Sequence, residues 1–226
     1  MDRIITQYRC LLETADSWFA SCLSQFPDEI ACGRGCSACC RGLFDINILD
    51  AIVLRRGLES LPENIRHEVS ARSEKVLSRA MKSVPCFAAP YILNHHSEDE
   101  WLKIMPEEDE TPCVLLGSDG LCLVYECRPL TCRLHGLPHV DISGEVMSDN
   151  EWCPLNFQGH DPMNVAGVRM NFRDLFRQEA ALLGKANDLL TGIPTAQFDT
   201  LIPAAVAVDF SCSSRDAGGV HGISHL

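Results

Sequence analysis

The sequence predicts a mostly α protein with small β-hairpins, an α+β fold whose helices frame a cysteine-rich centre. Three observations predict it. Apolar residues recur at three- and four-residue steps in three long stretches. Two glycine-bearing turns between short apolar runs read as hairpins. The regular strand–helix alternation of a doubly wound sheet or barrel is missing.

The elements follow in order. Ile4, Ile5, Tyr8, Leu11, Leu12, Ala15, Trp18, Phe19, Cys22 and Leu23 make one face of a first helix. Phe26-Pro27 closes it, because proline restrains the residue before it from helical angles. A glycine-bearing cysteine loop, Cys32–Gly42, comes next. Asp45 or Asn47 is expected to cap a second helix running through Arg56, with Gly57 as its stop. Pro62 suits the first turn of a third helix, whose stripe is Ile65, Val69, Val76, Leu77 and Ala80. Between Val84 and Pro112 the periodicity fails; a loop or short helices are expected there, with Glu98–Glu100 and Glu107–Glu110 as solvated acidic faces. Val114–Leu116 and Leu121–Tyr125 read as strands turned through Gly117–Gly120. Val140–Ile142 and Glu145–Met147, turned at Ser143-Gly144, read as a second hairpin. A fourth helix is expected over Asn171 to Leu190, with Phe172, Leu175, Phe176, Leu182, Leu183 and Leu189 facing the core. The expected organisation is a single domain over 1–210, with its cysteine core at 32–153 and a flexible tail at 211–226.

Composition narrows the function. Of 226 residues 46% are apolar, enough to bury a core without sulfur crosslinks. Lys+Arg 19 against Asp+Glu 31 gives a net charge of −12. That balance argues against nucleic acid and against an anionic membrane surface, both of which demand clustered cations. Met1-Asp2-Arg3 opens onto no clean apolar signal segment, and the run Leu201–Val208, broken by Pro203, is too short to span a bilayer. A cytoplasmic location with reduced thiols is therefore expected. The 13 cysteines are an odd number, so a closed disulfide set would leave one over. Metal is the better account.

The cysteines fall into groups. Cys32, Cys36, Cys39 and Cys40 crowd one loop; Cys113, Cys122, Cys127, Cys132 and Cys153 follow in a second region. The Cys36-x2-Cys39 spacing turns two sulfurs toward one metal, and soft thiolates select zinc, cuprous copper or iron–sulfur units. Four thiolates around zinc, or around a [4Fe–4S]²⁺ unit, leave a charge of about −2 that needs donors and cations nearby. Arg34 and Arg41 bracket the first group, and Arg128 and Arg133 bracket Cys132. Tyr125, Arg128 and Pro129 are expected to orient the second segment. Cys32-x3-Cys36-x2-Cys39 is also the radical S-adenosylmethionine spacing, but Ala38 stands where an aromatic is expected and the βα repeats of that barrel are absent.

Cys32-x3-Cys36-x2-Cys39-Cys40, then Cys113, then Cys122-Leu-Val-Tyr125-Glu126-Cys127-Arg128-Pro129-Leu-Thr-Cys132-Arg133, resembles the zinc- or iron-chelating cysteine-cluster family over Cys32 to about Cys153. The resemblance implies metal ligands drawn from Cys32, Cys36, Cys39, Cys40, Cys113, Cys122 and Cys132. Here Leu123-Val124 departs from the commonest Cys-x-Ile-Tyr form, and Cys127 occupies a variable place. Cys153, between Trp152 and Pro154, joins the candidates as a late ligand. A relative, flagellin lysine N-methylase, carries the same pattern and implies a methyl-transfer role; no glycine-rich cofactor loop here supports S-adenosylmethionine binding independently.

Cys10, Cys22, Cys86 and Cys212 read as bystanders, His135 and His139 as flanking groups, and His95, His96, His221 and His225 as solvent-facing. The expected cofactor is an iron–sulfur cluster or zinc. Its role is open between a structural tie, a metal-dependent enzyme acting on a protein substrate, and storage or delivery to a client.

Overall fold

The computed structural model describes residues 1–147, 152–195 and 197–211. It is mostly helical with one small antiparallel sheet, the expected α+β class. Cys212, His221 and His225 lie outside the described residues, as does the expected tail beyond Ser211.

Helix α1 (Asp2–Gln25) buries the expected stripe, including Tyr8, Trp18 and Cys22, and ends at Phe26. Helix α2 (Ile48–Glu59) is the central element. Asn47 caps it by accepting hydrogen bonds from the Leu49 and Asp50 amides. It buries residues on every side, so it lies between layers rather than on a surface. Gly57 is not its stop; the helix continues to Glu59. A Cβ at Gly57 would stand 2.7 Å from the Cβ of Cys127, so the glycine serves close approach of that residue's turn.

Helix α3 (Glu63–Ser83) begins one residue after Pro62. The aperiodic stretch after it holds a short 3₁₀ turn (Leu93–His95) and helix α4 (Glu98–Ile104), which Ser97 and Glu100 start as a reciprocal capping box. Helix α5 (Leu130–Leu134) follows Pro129. Helix α6 (Phe172–Thr191) closes on Gly192 at φ 76°, a left-handed turn that glycine adopts at no steric cost. In α6 Leu189 is 53% exposed, and Ala186 and Leu190 face inward instead.

The two expected hairpins are smaller than their sequences suggest. The first is a single bridge, Leu116 to Cys122, after which Tyr125–Cys127 tightens into a 3₁₀ turn. The second is a bridge between Val140 and Val146 around Gly144. The sheet pairs strands distant in sequence: β1 (Asp45–Asn47) runs antiparallel to β2 (Asp199–Leu201), with Ile46 opposite Thr200. Helix α7 (Ile202–Ala207) follows β2 directly and packs on α2 and α3. The main core gathers α1, α2, α6 and α7; a smaller one joins Leu77, Phe87, Leu93 and Ile104. Among the described residues no helix is long and apolar enough to cross a membrane.

Candidate metal centre

Both cysteine segments are folded tightly before any metal is considered. In the first, the Cys36 amide donates to the Gly33 carbonyl and the Cys40 amide to that of Ser37, two successive turns with Gly35 at φ 99°. The Cys113 amide donates to the Cys40 carbonyl at 2.9 Å, which ties the second segment to the first. The residual hairpin carries Cys122, and the rigid Arg128-Pro129 step starts the helix that carries Cys132.

The result is a chamber of about 390 Å³, lined by Cys32, Cys36, Cys39, Cys40, Cys113, Cys122 and Cys132. Arg34, Tyr125, Arg128 and Arg133 line it too. Cys153 is buried outside this lining, close enough to Cys32 to oppose its ionisation. Arg41 is turned away: its guanidinium stands 3.7 Å from the Glu110 carboxylate. Cys127 sits under Gly57, outside the lining. His135 lines the chamber with its ring edge toward Phe44, and burial lowers its pKa.

The thiols resist charging. Burial pushes Cys32 and Cys113 up to about 11 and raises Cys122 and Cys132, the last also through Cys113, Asp50 and Cys122. Cys39 is raised because it donates to Cys40, whose thiol is correspondingly lowered. Several buried thiolates repel one another, and a polyvalent cation reverses that balance.

The arginines divide by role. Arg133 is 5% exposed and donates to the Arg128 and Glu126 carbonyls, pairing also with Asp16. It shapes the turn rather than facing the chamber's centre. Arg128 stacks over the Tyr125 ring at 4.0 Å and binds Asp16 at 2.9 Å. Its Nε is buried with no hydrogen-bond partner, and its charge favours the thiolates of Cys39 and Cys122. An unmatched cationic donor beside thiols fits a negatively charged sulfur-ligated group.

Three supporting residues escaped the sequence reading. Asn156, 1% exposed, donates to Cys32 Sγ at 3.2 Å and to the Gly136 carbonyl, while its Oδ1 accepts from the Ala31 amide. Asp50, on α2, accepts the Leu130 amide at 3.0 Å. Asp16 holds both arginines of the second segment. Asp16 could have been found as an acid on the polar edge of α1; Asn156 and Asp50 carry no spacing signal.

A search of curated proteins and a search of solved structures each return no match. A family model described as CxxCxxCC, "Putative zinc- or iron-chelating domain", matches residues 31–154. Those residues include every cysteine that lines the chamber and more than half the chain, and the chain therefore belongs to the CxxCxxCC family of zinc- or iron-chelating domains.

Proposed function

We propose that the chamber holds an iron–sulfur cluster, with ligands drawn from Cys32, Cys36, Cys39, Cys40, Cys113, Cys122 and Cys132, and Cys153 in reserve beside Cys32. One observation carries the choice of a cluster over a single zinc ion. Tetrahedral zinc with sulfurs at ~2.3 Å draws them to about 3.8 Å from one another. Among the described residues no three of the chamber's sulfurs lie within 4.8 Å of each other. In a four-iron unit each thiolate holds its own iron, so the sulfurs stand farther apart around a wider space. The unpaired Arg128 Nε supports the same reading, since a cluster offers sulfide acceptors that a fully thiolate-ligated zinc ion lacks.

When bound, such a group supplies electron-transfer or Lewis-acid chemistry. The chain's own contribution is positional. Arg133 and Asp16 fix the turn before Cys132, Asn156 orients Cys32, and exposed Cys36 with Arg34 marks the side from which a client or substrate reaches the centre.

Anaerobic purification followed by iron, zinc and acid-labile sulfide analysis tests this. The expected result is a coloured protein with iron and sulfide in equal amounts. Cys36→Ser and Cys132→Ser should each lower the iron content at least twofold. A colourless protein with stoichiometric zinc overturns the cluster, and unchanged metal in both variants overturns the two-segment site.

A further inference from the structure

Outside the chamber, one more group of ligand-type side chains converges. Cys86 Sγ stands 3.6 Å from Glu100 Oε1 and 3.9 Å from His96 Nδ1, and His96 Nδ1 stands 3.4 Å from Glu100 Oε2. Among the described residues this is the group of three whose ligand atoms all fall within 4.8 Å. None of the three lines the chamber. From the sequence, Cys86 read as a bystander, His96 as solvent-facing and Glu100 as part of a solvated acidic face.

The segment that carries them is anchored. Phe87 and Leu93 are fully buried in the smaller core with Ile104, and Trp101 Nε1 donates to the Leu93 carbonyl at 2.8 Å. His96 keeps only 8% of its side chain exposed, its ring edge against Phe87. Glu100 is held at the start of α4, where its Oε2 accepts the Ser97 amide. Cys86 is exposed and the Glu100 side chain keeps 33% of its surface, so the group opens to solvent on their side.

Two kinds of chemistry use a cysteine, a histidine and a carboxylate together. In a nucleophilic relay the thiol and the carboxylate address opposite nitrogens of the ring, so that a proton passes between them. Here both address Nδ1, which leaves no relay. Metal ligation requires that convergence. With ligand distances of ~2.3 Å to sulfur and ~2.0–2.1 Å to nitrogen and oxygen, a tetrahedral ion spaces its sulfur about 3.6 Å from the other two atoms, and those about 3.4 Å apart. Cys86 Sγ and His96 Nδ1 stand 3.9 Å apart, and the Glu100 carboxylate reaches the sulfur through Oε1 at 3.6 Å and the ring nitrogen through Oε2 at 3.4 Å. One ligand atom from each residue lies within 4.8 Å of the other two, so a small closing movement brings the three to those spacings.

We propose that Cys86, His96 and Glu100 form a second metal site, for a borderline-soft divalent cation such as Zn²⁺, with a fourth position open to water. Binding takes the proton of the Cys86 thiol into solvent and forms the metal–sulfur bond; the imidazole binds neutral through Nδ1. The mixed sulfur, nitrogen and oxygen donors suit zinc and disfavour calcium or magnesium, which take oxygen ligands. Three protein ligands with an open place also make the ion exchangeable, unlike one closed in by four thiolates.

Cobalt(II) reports the site, because a thiolate bound to it gives a near-ultraviolet charge-transfer band. The full chain, rinsed with chelator to strip exchangeable metal, is titrated with Co²⁺ and then displaced with Zn²⁺. One equivalent with the charge-transfer band is expected, and zinc should bleach it. Cys86→Ala should lose the band, and Glu100→Gln, which keeps an acceptor for the Ser97 amide, should weaken uptake at least tenfold. The double variant Cys36→Ser/Cys132→Ser should keep the band, which separates this site from the chamber. Absence of cobalt uptake in the natural chain, or uptake and band unchanged in Cys86→Ala, overturns the proposal.

Discussion

Single polar residues set the position of the thiols, and Asp50 is the most consequential. It is 2% exposed, and its Oδ1 accepts both the Tyr8 hydroxyl at 2.9 Å and the Leu130 amide at 3.0 Å. One carboxylate thus joins α1, α2 and the start of the helix bearing Cys132. Burial is the main reason its pKa is pushed up to about 7; Glu179, which reaches the same Tyr8 hydroxyl and Asn47, is also pushed up to about 7, by burial and then by the charge of Asp50. A carboxyl with a raised folded pKa binds its proton more tightly folded than unfolded. Its contribution to stability is complete below the unfolded value near 4 and is lost as pH rises through about 7. Asp50→Asn keeps the acceptor oxygen and removes the titration. Urea unfolding at pH 5 and pH 7.5 should therefore show the natural chain losing on the order of 1–3 kcal/mol more than the variant across that window. Comparing the two chains at each pH cancels whatever the metal centre itself does. Equal losses in both chains would remove Asp50 as the cause.

Among the elements, legibility followed periodicity and chain distance. The helices α1, α3 and α6 each bury one face, so a 3.6-residue pattern announced them. Helix α2 is buried nearly all round and has no such pattern; its start was readable from Asn47, but its end was misplaced because Gly57 stands where packing, not termination, demands a glycine. The sheet was not readable: its strands are three residues each and lie at opposite ends of the chain, so neither local turn chemistry nor alternation marks them. The cysteine segments were readable because ligand spacing is a local property; Asn156, which orients Cys32 from far along the chain, was not. Gly57→Ala tests the packing explanation. Alanine favours a helix interior by about 1 kcal/mol, but the added methyl would sit 2.7 Å from Cys127 Cβ and 3.3 Å from Val124 Cβ. Neither atom is the end of a flexible side chain, so the Tyr125–Cys127 turn must shift, and overpacking of this kind costs about 1–3 kcal/mol. A thermal midpoint several degrees lower, with a lower metal content, is expected. Adding Cys127→Ser should not restore it, because the Cβ remains.

The whole molecule raises the question of how much of its stability the metal supplies. Small metal-nucleated domains unfold when stripped, because binding free energy is their folding free energy. This chain is built differently. Ile5, Leu12, Leu49, Ile52, Leu54, Phe172 and Ala205 are buried on α1, α2, α6 and α7, in a core that does not need sulfur to close. The second cysteine segment adds Val114, Leu115, Val124, Leu130 and Leu134 to that core, but the thiols sit on short turns fixed by single hydrogen bonds. Asp50 accepts the Leu130 amide, Asn156 clasps Cys32, and the Cys113 amide ties one segment to the other at the Cys40 carbonyl. Two cooperative regions of unequal strength follow from this arrangement. Removing the metal should leave repulsion and desolvation among the thiols uncompensated and loosen the chamber, while the helical core persists. Hydrogen exchange on metal-replete and chelated protein reads this directly. Amides of 32–42 and 113–134 should lose protection by tenfold or more on chelation, and amides within α1, α2 and α6 should change little. Loss of protection across all of these helices would instead mean that the metal, and not the apolar core, is what folds the chain.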